Sequence, residues 1–166
     1  SLPTSPAMPV PDPNRPAPAA TGSQPGADLP PAGAAAVCER AARSGGRVLL
    51  EWIGRFGVTS KGPSDLVTEA DFASQREISR IVLEAFPDHG FVGEESLPEV
   101  AAADRAGPQA SRPHLAWHVD PLDGTSNYVH GFPAWCVSVA LARGDEILVA
   151  AIFDPLRDEC FTEIGR

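Results

Sequence analysis

Alternation of apolar and polar residues predicts a β-strand at residues 115–119. Leu115, Trp117 and Val119 alternate with Ala116 and His118, a pattern typical of a pleated segment with one buried face. Successive side chains of a strand point to opposite faces, so Leu115, Trp117 and Val119 are expected to face a core together. The strand leads directly into the most unusual stretch of the sequence, residues 120–127.

Helical spacing appears first between residue 33 and about residue 56. The apolar residues expected on its buried stripe are Val37, Ala41, Val48, Leu49, Trp52, Ile53 and Phe56. Gly45 and Gly46 interrupt this stripe, and each weakens a helix by roughly 1 kcal/mol relative to alanine. Gly57 is the residue expected to terminate the helix.

A second helix is predicted to begin at Thr68. The spacing from Thr68 to Asp71 fits the capping pattern in which the two side chains satisfy each other's backbone N–H groups. Pro87 is expected to end this helix, since proline cannot continue one. The apolar positions expected on its buried face are Phe72, Ile78, Ile81, Val82, Ala85 and Phe86.

Shorter patterns predict the remaining strands and loops. Residues 58–67 read as a strand, a turn and a returning strand, and Phe91 and Val92 as two buried strand residues. Apolar residues alternate over 136–142 and 147–153 on either side of Gly144 and Asp145, which indicates a β-hairpin. A final strand is expected from Glu159 to Ile164, and a surface loop over 97–113.

Composition divides the chain into a tail and one domain. Residues 1–31 contain 10 of the 18 prolines, so we expect a disordered tail there and a folded domain over 32–166. The chain begins with Ser1 rather than Met and stops at Arg166 just after a strand-like run, and we therefore expect a partial sequence.

Charge and cysteine content exclude some classes of function. The net charge of −9 argues against a nucleic-acid-binding surface, which is normally basic. No run of apolar residues is long enough to span a bilayer, so no membrane partner is expected. The three cysteines form no C-x-x-C pair and are expected to be small buried residues in a reducing, cytoplasmic protein; they are Cys38, Cys136 and Cys160.

The chemistry that the sequence suggests is concentrated after the strand at 115–119. Asp120 and Asp123 flank a rigid proline, and Mg²⁺ is commonly held by one or two carboxylates together with substrate phosphate. The backbone carbonyl of Leu122 would face the same ion, while the N–H groups of Gly124 and Thr125 would bind a phosphate oxygen. An isolated D-P-x-D-G run is equally typical of a plain turn.

Further acidic residues lie upstream. Asp71 has a structural reason to be present, because acidic residues stabilise the first turn of a helix. Glu94 and Glu95 are adjacent, so their side chains must point to opposite faces and only one of them can enter a given site. On its own, a G-E-E sequence is usually a solvated turn.

Three motifs in order resemble the inositol monophosphatase family of Mg²⁺-dependent phosphatases. Residues 117–128 fill every position of W-x-V-D-P-[LI]-D-G-T-x-N-[FY], residues 65–71 match D-x-V-T-x-x-D, and residues 93–95 supply G-E-E. The resemblance covers roughly residues 33–166. It implies a layered α/β fold, of which this chain would be the N-terminal and incomplete part of a five-layer αβαβα sandwich.

The resemblance also implies the roles of individual residues. The metal ligands would be Glu94, Asp120, Asp123 and the carbonyl of Leu122, and the substrate phosphate would contact Asp123, Gly124 and Thr125. Thr125, hydrogen-bonded to Asp71, would orient the attacking water, which makes these two the catalytic residues. Glu95 and Asp65 would lie just outside the metal ligands. The substrate would be a small phosphate monoester, the cofactor Mg²⁺, and the parent protein a homodimer.

One departure from the family pattern bears on activity. The family's W-D-x-A-A-G motif, whose aspartate completes a second metal site, does not occur in these 166 residues. We therefore expect the chain alone to bind Mg²⁺ poorly and to turn over little substrate. Substrate alternatives within the superfamily are histidinol phosphate, fructose bisphosphate and 3′-phosphoadenosine 5′-phosphate. Alternatives of another class are a non-catalytic interaction fragment and a degenerate reading frame.

Overall fold

The computed structural model describes residues 29–55, 58–62, 65–95 and 115–165. Most of the expected tail therefore lies outside the described residues, as do the loop at 97–113 and the expected helix terminator Gly57. Nothing is described of the side chains over 58–62 and 65–67, so the predicted role of Asp65 also lies outside what the structure describes.

Three helices and seven strands make up the described part of the chain. The helices are α1 (Ala34–Trp52), α2 (Glu69–Ala85) and α3 (Thr125–Val129). The strands are β1 (Val58–Gly62), β2 (Asp65–Thr68), β3 (Gly90–Gly93), β4 (Leu115–Asp123), β5 (Cys136–Arg143), β6 (Glu146–Asp154) and β7 (Glu159–Ile164). The predicted strand pair at 58–67, the hairpin and the last strand are all present.

The strands form two sheets. β1 and β2 make an antiparallel pair, and the other five strands lie in chain order from β3 to β7. β3 and β4 are parallel, whereas every other neighbouring pair in the larger sheet is antiparallel. Parallel pairing places the carboxyl ends of β3 and β4 at the same edge of the sheet.

The first helix is shorter than the sequence predicted. It ends at Trp52 rather than near residue 56, because Ile53 leaves the helical conformation and Gly54 adopts a φ of 73°. The N–H of Arg55 then donates to the carbonyl oxygen of Trp52 at 2.9 Å, which closes a turn. A positive φ is readily available only to glycine, so Gly54 performs the terminating role expected of Gly57.

Helices α1 and α2 cover one face of the larger sheet. The core between them contains Leu49, Ile78, Trp117, Val139 and Phe153, each at most 3% exposed. Gly45 and Gly46 permit this packing, because a Cβ at Gly46 would lie 2.5 Å from the Phe153 ring. The two glycines that weaken the helix locally are therefore required by its close approach to α2 and β6.

Several residues expected in the core are not there. Ile53 is 50% exposed because it lies beyond the end of α1, and Ala85 is exposed at the end of α2. Val92 is 48% exposed because it points to the sheet face opposite to that of its buried neighbour Phe91. Of the cysteines, only Cys38 is fully buried; Cys136 and Cys160 lie on β5 and β7 and are half-buried.

The contact at Gly46 provides a test of the packing. We expect Gly46→Ala to lower the free energy of unfolding by about 1–2 kcal/mol, because overpacking against a rigid ring outweighs the gain in helix propensity. Chemical denaturation measures this change. An alanine that stabilised the protein by about 1 kcal/mol, as at an open helix position, would contradict the described contact.

Candidate active site

Glu94 and Asp120 share an open cleft at the carboxyl ends of β3 and β4. The N–H of Glu94 donates to the carbonyl oxygen of Val119 at 3.1 Å, which continues the β3–β4 pairing by one residue. The cleft has a volume of about 400 Å³, and its other lining residues are Val92, Gly93, His118, Val119, Ser138 and Ala140. Glu94 points outward whereas Glu95 is 5% exposed, so the two acids face opposite ways as the sequence predicted.

The carboxyl group of Asp120 is hydrogen-bonded to that of Glu94 and lies within electrostatic range of Asp123 and Asp71. Burial raises its pKa, and the charges of Asp123 and Asp71 raise it further, while hydrogen bonds from Glu94 and from the N–H of Leu122 oppose the rise. A hydrogen bond between two carboxyl groups requires one of them to carry a proton. The fold therefore holds like charges close together, and a bound cation would offset their electrostatic repulsion.

The predicted metal ligands are brought together only in part. Glu94 and Asp120 are in contact, but the carboxylate oxygen Oδ2 of Asp123 accepts a long hydrogen bond of 3.8 Å from the Cys136 thiol. In the part of the chain that the structure describes, no three His, Cys, Asp or Glu side chains form a ready metal-binding group. Two carboxylates are nevertheless a donor set that suits Mg²⁺, which usually completes its coordination with water and phosphate.

Leu122 and Thr125 meet in the turn after Asp120. The Leu122 N–H donates to Asp120 Oδ1 at 3.1 Å, and the carbonyl oxygen of Leu122 accepts a hydrogen bond of 3.0 Å from the Thr125 hydroxyl. A shift in the β4–β5 register between Asp120 and Asp123 makes room for this turn. The carbonyl that the sequence assigned to a cation therefore lies beside the hydroxyl that it assigned to the attacking water.

Asp71 lies beneath the same hydroxyl. Its Oδ1 is 3.3 Å from Thr125 Oγ1, and its Oδ2 accepts hydrogen bonds from both the N–H and the hydroxyl of Thr68. Thr68 in turn caps α2, so the predicted capping box is present. Asp71 is 1% exposed, and burial raises its pKa although the hydrogen bonds from Thr68 and Thr125 oppose the shift. One side chain thus links the start of α2 to the turn after β4.

Gly124 lies between β4 and α3 and is the N-cap residue of α3. Its φ is 91°, and a Cβ would lie 2.9 Å from the carbonyl oxygen of Ala134, so another residue would be strained here. The hydroxyl of Tyr128 in α3 donates to the carbonyl oxygen of Leu49 at 2.6 Å, and its ring packs edge-on against Trp135. These contacts fix the short helix, and with it Thr125, against α1.

Sequence reasoning missed three residues that contact the site. Ser74 and Gln75 lie on the buried face of α2 and bond to the segments that carry Asp120 and Glu94. Their signal was available, because polar residues three and four positions after Asp71 interrupt an otherwise apolar face. Cys136, which was expected to be an inert buried residue, is paired with Asp123 in the β4–β5 register, and burial raises the pKa of its thiol to about 11.

The fold and the acids of the cleft are consistent with the family that the sequence motifs resemble, and comparison with known proteins identifies the same family. The chain belongs to the inositol monophosphatase family, whose family model matches residues 33–165. Among solved structures, the extragenic suppressor protein SuhB from Bartonella henselae aligns with a TM-score of 0.66 and 35% identity, over 78% of this chain and 48% of that one.

Curated relatives include proteins with different names. A fructose-1,6-bisphosphatase/inositol-1-monophosphatase from Aquifex aeolicus is 38% identical over 128 residues, 75% of this chain and 45% of that protein. A Nus factor SuhB from Xylella fastidiosa is 41% identical over 126 residues, 74% of this chain and 42% of that protein. The chain spans somewhat less than half the length of these relatives. No helix among the described residues combines the length and apolarity that a membrane crossing requires.

The raised pKa of Asp120 predicts a stability gain on removing its charge. We expect metal-free Asp120→Asn to be more stable than wild type at pH 7 by about 0.5–1 kcal/mol, a modest gain because Asp120 is partly solvated. The folded-state pKa of Asp120 lies above the unfolded-state value of about 3.9. Wild type therefore loses stability as the pH rises from the unfolded-state pKa to the folded-state pKa. The advantage of Asp120→Asn should therefore shrink on acidification, as denaturation at several pH values would show.

Exposed Asp145, in the hairpin turn, provides the matched control. Asp145→Asn removes the same charge away from the cleft and should leave stability within about 0.5 kcal/mol of wild type. Equal effects of the two substitutions would show that Asp120 is not under electrostatic strain.

Proposed function

We propose that this chain carries part of the active site of an Mg²⁺-dependent phosphomonoesterase that hydrolyses inositol monophosphate. The observation that supports the proposal most is the contact between the Glu94 and Asp120 carboxyl groups in an open cleft. Thr125 is connected to Asp120 through Leu122, and buried Asp71 lies against the Thr125 hydroxyl. Membership of the inositol monophosphatase family supports the same class of reaction. The name of the Aquifex relative makes fructose bisphosphate the first rival substrate to compare.

Glu94, Asp120 and the carbonyl oxygen of Leu122 would hold the cation. When bound, Mg²⁺ would lower the pKa of a coordinated water and offset the charge of the phosphoryl group. Asp123, which lies beside Asp120 with its carboxylate toward Cys136, would contribute from the flank of the site. The donor set is made of hard oxygen atoms, as this ion prefers.

The protein groups near the cleft would orient the water and the phosphate. Thr125 Oγ1 has Asp71 Oδ1 at 3.3 Å and the Leu122 carbonyl at 3.0 Å, and its single proton can be donated to only one of them at a time. A lone pair of Thr125 can then accept a hydrogen bond from the attacking water, and Asp71 can take up a proton through the hydroxyl. The water oxygen would bond to phosphorus as the ester P–O bond breaks. A solvent water would protonate the leaving alkoxide to give the alcohol, and Asp71 would then release the proton that it took up to solvent. The amides of Gly124 and Thr125 are proposed to bind the phosphate oxygens.

Metal binding by the 166-residue chain tests the proposal directly. We expect Mn²⁺, used as a paramagnetic substitute for Mg²⁺, to bind with an affinity at least tenfold lower in Glu94→Gln and in Asp120→Asn than in wild type. Each substitution removes one of two charged ligands. Titration followed by electron paramagnetic resonance measures the free ion, and Asp145→Asn is the charge-matched control.

The same titration separates the proposed enzyme from an interaction fragment. Because we expect binding by the chain alone to be weak, the titration extends to millimolar Mn²⁺, and equal affinities of wild type and both variants there would contradict the metal site and favour a non-catalytic role. Because the chain spans less than half of its relatives, we expect little phosphate release from inositol 1-phosphate by these residues alone at millimolar Mg²⁺. Robust release would contradict that expectation while supporting the reaction.

A further inference from the structure

Three buried polar side chains form a stripe along α2. Asp71, Ser74 and Gln75 are 1%, 0% and 1% exposed, and their spacing places them on one face of the helix. A buried polar group is destabilising unless it is hydrogen-bonded, so each of these side chains requires a partner. Asp71 has its partners in Thr68 and Thr125, as described above. The partners of Ser74 and Gln75 lie next to the two carboxylates of the cleft.

Gln75 holds the backbone next to Glu94. Its Nε2 donates to the carbonyl oxygen of Glu95 at 2.6 Å, and its Oε1 accepts from the N–H of Glu95 at 2.8 Å. A Cβ at Gly93 would lie 2.4 Å from the Gln75 side-chain amide carbon, so the glycine admits this side chain to the strand end. The two hydrogen bonds fix the peptide groups on both sides of Glu95 and therefore the exit of the chain from Glu94.

Ser74 holds the backbone next to Asp120. Its hydroxyl donates to the carbonyl oxygen of Pro121 at 3.1 Å, across 47 residues of sequence. Pro121 follows Asp120 directly and precedes Leu122, whose N–H bonds to Asp120 Oδ1. Adjacent residues of one helix thus contact the segment of Glu94 and the segment of Asp120.

We propose that Gln75 and Ser74 are positioning residues that set the Glu94 and Asp120 carboxyl groups against each other. Helix α2 fixes the relative position of the ends of β3 and β4 in addition to packing on their sheet. The positioning of the carboxyl pair stands on the described contacts alone. The identity of the ion that the pair binds rests on the proposed function.

Amide hydrogen exchange tests the positioning without any metal. We expect the Glu95 N–H to exchange at least tenfold faster in Gln75→Met, which keeps the side-chain length but lacks an acceptor for this N–H. Gln75→Glu, studied at acidic pH so that its buried carboxyl group is protonated, keeps an acceptor for this N–H and a donor for the Glu95 carbonyl oxygen, and should retain most of the protection. Amides of the β5–β6 ladder report the loss of global stability in each variant, and the exchange of the Glu95 N–H is compared after correction for that loss. Unchanged exchange at Glu95 in Gln75→Met would overturn the proposal.

Metal affinity tests the consequence for the cleft. Partners that orient metal ligands typically change affinity by about 10- to 100-fold when they are removed. We therefore expect Mn²⁺ affinity to fall about tenfold in Gln75→Met and in Ser74→Ala. Ser79→Ala is the matched control, because Ser79 is 5% exposed on the same helix but bonds, among the residues that the structure describes, only to the carbonyl oxygen of Arg76. An effect of Ser79→Ala equal to that of Ser74→Ala would count against positioning.

A double-mutant cycle distinguishes positioning from general destabilisation. If Gln75 acts through Glu94, Gln75→Met should have little further effect on Mn²⁺ affinity once Glu94→Gln is present. Equal losses in both backgrounds would overturn the proposal. If wild-type binding does not depend on Glu94 at all, the proposed function fails, and the exchange experiment still decides whether Gln75 positions this segment.

Discussion

The candidate site depends on the electrostatic cost of holding several carboxyl groups together. Burial and the charges of Asp123 and Asp71 raise the pKa of Asp120, and its carboxyl group meets that of Glu94. Carboxylates separate when the backbone allows it, because like charges in a partly desolvated place repel. The arrangement therefore requires a rigid surrounding structure. The close packing of α1 and α2 against the sheet, with Gly46 against Phe153, provides that rigidity.

Hydrogen bonds, rather than apolar contacts, hold the segments that carry the acidic residues in place. Helix α2 is anchored at its start by the reciprocal bonds of Thr68 and Asp71, and Asp71 continues to Thr125. Four residues later, Gln75 bonds both backbone groups of Glu95. Such buried networks strongly favour one arrangement when every member is satisfied. The same helix therefore contributes to the core, to the orientation of the Thr125 hydroxyl and to the separation of the two strands that carry the acids.

Much of this architecture could be predicted from the sequence, because local signals and tertiary structure agree. The capping pattern at Thr68, the alternation around Trp117 and the turn at Gly144 all act within a few residues. The errors arose where the local pattern leaves a choice open. The end of α1 is set by the positive φ of Gly54, and the exposure of Val92 is set by which sheet face the helices cover.

The candidate site was predictable as a set of residues but not as a geometry. Motif spacing indicated Asp71, Glu94, Asp120 and Thr125. The polar residue Ser74 on the apolar face of α2 signals a buried partner, but the sequence does not identify that partner as Pro121, 47 residues away. The position of Asp123 beside Cys136 follows from the β4–β5 register, which a sequence pattern does not specify. Long-range register and buried polar contacts thus account for what sequence reasoning missed.

The central claim is that Glu94 and Asp120 form a cation site, and a crystal structure of the chain with Mn²⁺ tests it most directly. Anomalous scattering locates this ion independently of how the side chains are built. We expect an anomalous peak between the carboxyl groups of Glu94 and Asp120, with oxygen ligands from both residues. A structure at millimolar Mn²⁺ in which the carboxyl groups remain hydrogen-bonded to each other, with no peak in the cleft, would contradict it.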